Sequence, residues 1–187
     1  MAISPQDKIM YVANKLGLSS LKYMQATTGA VYDTLPGSVS QGEFFTNASQ
    51  HVFVNETNLT DNEFEVNEAL LIESMGFISM ANDQNSALSG LASNVAKIVF
   101  QVVIGNKVVL KDMLWTKGID GAFVAQGGTN TGRTFMDMEG VGILIPPQVK
   151  YHVSAQYFDY NGNPISVSDI ACVLYGTQVL LNFNTSI

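Results

Sequence analysis

The chain has 187 residues, 47% of them hydrophobic and 13% charged, with a formal net charge of −7. That length and apolar share suit one domain with a sizeable core and exclude a disordered chain. The acidic balance excludes a surface built to hold phosphates.

The N-terminus carries one helix signal. Ser4 suits the N-cap, Pro5 the first helical position and Asp7 the capping-box position. Ile9, Met10, Val12, Ala13 and Leu16 then fall on one apolar face, and Gly17 is a natural stop. No basic segment followed by an apolar stretch precedes the helix, so no secretory signal is expected. Leu18–Gly42 shows no sustained period and is broken by Gly29, Pro36 and Gly37. A loop of that length inside a compact domain is unusual, so the segment reads as an extended arm. Two units are therefore expected: residues 1–43 as helix and arm, and residues 44–187 as a β domain.

From Phe44 onward strands and turns alternate. Gln50–Val54 and Phe64–Val66 read as short extended segments, and Ala69–Met80 as one strand bent at Gly76. Asn82–Ser93 reads as a polar loop. Ala96–Ile104 and Lys107–Leu114 are apolar runs joined by Gly105-Asn106, a tight-hairpin signal. Phe123–Ala125, Thr134–Met138, Gly142–Ile145, Val149–Phe158 and Ile170–Phe183 complete the set. About eight to ten strands with such turn spacing predict an antiparallel sandwich. No apolar run reaches the roughly 18 residues that span a bilayer, so no membrane partner is expected. Cys172 is the single cysteine, which excludes an intrachain disulfide, and its apolar surroundings in sequence predict a buried, inert thiol.

The charged share is about half the usual quarter. Charge is depleted at interface cores, so this poverty predicts a subunit whose surface is covered by neighbours.

Chemical motifs are sparse. Gly127-Gly-Thr-Asn-Thr-Gly132-Arg133-Thr134 has phosphate-loop spacing with Arg in place of Lys. The mechanism needs a helix next, and Phe135-Met-Asp-Met-Glu-Gly-Val-Gly142 is too short and glycine-broken to be one. The loop therefore reads as a β–β connection. His51 and His152 stand far apart with no second histidine at ligand spacing, so no metal site is expected. Glu63, Glu65 and Glu68 read as a solvated face rather than a glycosidase pair. Asp159-Tyr-Asn-Gly-Asn163 has some calcium-loop character but reads first as a hairpin turn. Glycosylation sequons at Asn47, Asn55, Asn58 and Asn184 read as chance matches in an Asn-rich chain. Most aromatics sit in apolar runs, and Trp115, at a strand end, is the one kept as a contact residue. No catalytic residue, cofactor or metal is expected.

With the strands laid out, Gly142-Ile-Leu-Ile-Pro-Pro-Gln-Val-Lys-Tyr-His-Val153 is similar to strand–Pro–strand passages of jelly-roll capsid proteins. The pattern over Phe44–Phe183, preceded by helix and arm, resembles the small capsid proteins of non-enveloped viruses, bacteriophages in particular. The resemblance implies a jelly-roll-like sandwich that self-assembles in a virion, packs on other virion proteins and uses its arm to lock neighbours. Ile9, Met10, Val12, Leu16 and Trp115 would then be interface residues. An arm carrying only Lys8, Lys15 and Lys22 against Asp7 and Asp33 is not a nucleic-acid arm, so a vertex, decoration or outer-shell role is implied. Two other readings stand beside it. One is a carbohydrate-binding sandwich module of a viral or surface fibre; the other is a cupin-like enzyme, weakened by the missing histidine cluster.

Overall fold

Local capping sets the first element. Ser4 Oγ accepts a hydrogen bond from the Asp7 N–H at 3.2 Å and opens helix α1, Pro5–Leu16. Gly17, in the left-handed region at φ 69°, closes it, with Leu18 N–H donating to Ala13 O at 2.9 Å. The computed structural model describes residues 4–18, 24–46, 57–59, 61–79, 95–115, 135–138, 142–159 and 161–181. Of the sequence expectations, Gln50–Val54, Asn82–Ser93, Phe123–Ala125 and the Gly127–Gly132 loop lie outside the described residues, as does His51.

The strands are β1 (Gln25–Val39), β2 (Gln41–Phe44), β3 (Glu68–Ser79), β4 (Lys97–Ile104), β5 (Lys107–Trp115), β6 (Phe135–Asp137), β7 (Ile143–Ile145), β8 (Tyr151–Phe158) and β9 (Val167–Leu180). They form two antiparallel sheets. One runs β1-β9-β3, with β6 and β7 both lying along the far edge of β3; the other runs β2-β8-β4-β5. The pairing is nested: β4 with β5, β3 with β7, β2 with β8 and β1 with β9. That is one long antiparallel ribbon. Rolled so that β3 also meets β9 and β4 also meets β8, it closes as a jelly-roll-like sandwich. The sandwich expected from the sequence is thus the fold observed.

The expected arm differs. From Gln25 on, the segment read as an arm is sheet, because β1 pairs with β9 from Gln25↔Leu180 to Val39↔Val167 and β2 pairs with β8. Pro36-Gly37, which reads as a breaker, sits instead at a register shift between Leu35 and Ser38. β1 is an edge strand, where a proline's missing donor is tolerated, and the Gly37 N–H is taken up by Asp169 Oδ1 at 2.8 Å.

Alternation then fills the space between the sheets. Tyr151, Val153, Ala155 and Tyr157 of β8 face inward and are buried, as are Ile98, Phe100 and Val102 of β4. From the other sheet come Leu70, Ile72, Met75, Phe77, Ile170, Cys172 and Leu174. Phe77 joins the layers, with ring centroids 5.7 Å from Phe44 and 5.8 Å from Phe100.

The inward set on β3 changes parity between Ile72 and Met75. The cause is a register shift against β9 between Ile72 and Ser74, leaving Glu73 as the extra residue. The bend expected at Gly76 is therefore a bulge at Glu73. Two glycines allow it: a Cβ on Gly176 would overlap the Leu71 carbonyl, and one on Gly142 would overlap that of Ile72. We expect Gly176→Ala to destabilise the protein by roughly 1–3 kcal/mol, the usual cost of overpacking. Urea unfolding measures it; an unchanged midpoint would mean that β3 and β9 separate freely at the bulge.

Candidate functional surfaces

The apolar face of α1 finds its partner within its own chain. Val12 is fully buried and packs in a cluster with Ala69, Leu71, Val179 and Leu181, on the face of the first sheet turned away from the main core. Leu16 and Tyr11 border that cluster, Ile9 is half-buried, and Met10 is 44% exposed. A polar lock adds to this. Lys8 Nζ lies 2.5 Å from Glu73 Oε1 and donates to Thr177 Oγ1 at 3.3 Å, and that hydroxyl donates to the same carboxylate at 2.9 Å. The bulge that displaces Glu73 therefore serves to pin the helix. Val12 and Leu16, expected at an interface with neighbours, are engaged by their own sandwich; of the four helix residues, only Met10 is mainly exposed. Trp115 is the last residue of β5, opposite Lys97 in register.

Inside the sandwich lies a small set of polar groups. Asp33 is 1% exposed, and its Oδ2 accepts from the Phe45 N–H at 2.6 Å, holding Phe45 at a left-handed φ of 66°. Tyr151 and Tyr157 are buried, and neither hydroxyl has a hydrogen-bond partner among the described residues. Burial pushes both phenols well above the usual tyrosine range, with the nearby Cys172 thiol adding to it and Asp33 contributing at Tyr151. Burial likewise raises the Cys172 thiol, reinforced by Asp33. Such a thiol stays protonated and is a poor nucleophile. These groups bind their protons more tightly when folded than when unfolded. Their contribution to stability is therefore complete below the unfolded values, about 8.5 for Cys and 10 for Tyr, and is lost as pH rises beyond them. Urea midpoints should fall above that range, and Tyr157→Phe should shallow the fall while leaving neutral-pH stability nearly unchanged. Phenolate absorbance appearing at an ordinary tyrosine pKa for Tyr157 in the folded state would contradict this.

The remaining motif residues take ordinary places. Asp159 Oδ1 accepts from the N–H groups of Asn161 and Asn163 at 2.8 Å each, and Oδ2 accepts from Asn163 Nδ2 at 3.2 Å. These bonds, that from the Asn163 N–H first, hold its carboxyl below the usual range. His152 is half-buried on β8, opposite Val103. Glu63, Glu65 and Glu68 line a cleft of about 310 Å³ with Asn58, Gln148 and Gln178. Among the described residues no group of three or more His, Cys, Asp or Glu is placed to hold a metal ion. No helix among them is long and apolar enough to cross a membrane.

The outward face of the second sheet is different in character. Cross-strand register aligns Gln41, Gln156, Val99 and Met113 in one rung. The next rung aligns Glu43, Ser154, Gln101 and Lys111. A groove of about 510 Å³ runs over these two rungs. Sequence reading misses this site because each strand contributes only one or two polar residues at alternate positions. Their convergence depends on register between strands far apart in the chain. At the edge of the same sheet, β5 presents Val108, Val109 and Met113, 48%, 40% and 39% exposed. The chain matches no known protein-family model, and no curated protein matches it in sequence.

Proposed function

We propose that this protein is a virion structural subunit, in a vertex, decoration or outer-shell role, that associates with copies of itself and with other virion proteins. The observation that carries this reading is the edge strand β5. Its Val108, Val109 and Met113 are large apolar side chains exposed on a sheet edge, interspersed with Lys107, Lys111 and Asp112, on a chain with few charges overall. The jelly-roll-like wrapping is compatible with such a role but also hosts lectins and cupins, so it supports the reading without carrying it. Association in this proposal runs through the sandwich, since the face of α1 is already engaged with its own sheet. The net charge of −7 keeps genome binding out of the role.

Size-exclusion chromatography with electron microscopy of the purified full chain tests it. Discrete symmetric multimers or shells are expected, and Val108→Glu with Met113→Glu should shift them to smaller species without lowering the melting temperature. A monomer at every concentration and salt tried would overturn the proposal.

A further inference from the structure

We infer that the groove across the outward face of β2-β8-β4-β5 is a binding site for a neutral oligosaccharide. Three amides, Gln41, Gln101 and Gln156, and the hydroxyl of Ser154 line it, with Glu43 and Lys111 on the two outer strands. Among the described residues none of these side chains engages in a hydrogen bond or ion pair with the protein. The contrast with the opposite sheet is direct. There the outward face is apolar at Leu71, Val179 and Leu181 and is covered by α1, whereas here Gln41, Gln101, Gln156 and Ser154 stand beside Val99 and no described element lies over them. The Ser154 Oγ, enclosed beneath the groove, has no hydrogen-bond partner among the described residues.

The chemistry of the lining selects the occupant. Each amide offers both donors and acceptors in one plane, and a sugar ring offers hydroxyls that do both at close spacing. One carboxylate and one ammonium leave the groove near neutral, so neither a polyanion nor a polycation is matched. A nucleic acid would need several cations, and among the described residues Lys111 is the single one in the lining. An extended peptide would add to a sheet edge through its main chain, whereas this groove crosses the strands. Four strands at about 4.8 Å spacing give a groove about 14 Å long, room for a short oligosaccharide. Val99, in the rung of Gln41 and Gln156, offers apolar surface to the C–H face of a sugar.

The test is an array of neutral oligosaccharides, covering glucose-, galactose-, mannose- and N-acetylhexosamine-based chains, probed with the full-length protein. The best-retained glycan is then titrated by calorimetry. At least one neutral glycan should be retained. Gln101→Ala with Gln156→Ala should weaken it at least about tenfold, the loss of one or two hydrogen bonds, with unchanged melting. Tyr175→Ala, on the other sheet, should leave binding alone. If the double variant melts lower, Gln41→Ala on the edge strand replaces it and should still weaken binding several-fold. Retention of no neutral glycan, retention of acidic glycans alone, or binding that survives these variants would overturn the inference.

Discussion

The antiparallel ladder between β9 and its two neighbours is the contact on which the remainder of the structure depends. β9 lies between β1 and β3, so the last long strand joins the first strand to the middle of the chain. Without it the ribbon has no reason to roll, because β1 would have no partner among the described strands and β3 would keep only the short segments β6 and β7. The same ladder carries Ile170, Cys172 and Leu174 into the core on one face. On the other it offers Thr177, Val179 and the following Leu181 to the helix. Contacts of such wide sequence separation form late, since loop closure must be met before burial repays it.

One irregularity in that ladder couples three parts of the molecule. The extra residue Glu73 shifts the inward parity of β3, so Ile72 and Met75 both reach the core. Its carboxylate meets Lys8 and Thr177 and fixes α1. Its carbonyl accepts the Met138 N–H at 2.7 Å, just beyond β6. A bulge that bends a strand and re-aims a side chain is a common device. Here Gly176 and Gly142 supply the room for it. The helix, the first sheet and the β6–β7 edge thus share one local geometry.

Much of this fold was legible in the sequence where a local signal and a tertiary demand agree. The caps of α1 fall at Ser4 and Gly17, the Gly105-Asn106 turn joins β4 to β5, and Pro146-Pro147 separates β7 from β8. Legibility failed at β1. Gly29, Pro36 and Gly37 look like breakers, yet an edge strand with a bulge tolerates all of them. The helix face was legible as apolar, but not its destination, since the sequence does not tell an intramolecular partner from an intermolecular one. The groove was hidden for a related reason. Gln41, Gln101, Ser154 and Gln156 are unremarkable outward residues until register brings them side by side.

The account rests on the first and last strands closing one sheet, with α1 laid over it. Hydrogen–deuterium exchange on the full chain reads that closure directly. The β1 amides on the side facing β9, those of Val31 and Asp33, should be protected to the level of their β9 partners, Leu174 and Cys172, whereas the Tyr32 N–H turns away to Asn58 Oδ1; the α1 amides around Val12 should open no faster than the protein's other surface elements. If β1 and α1 exchange at free-chain rates while β9 stays protected through β3, the segment is an arm after all and the closed sandwich described for it is wrong.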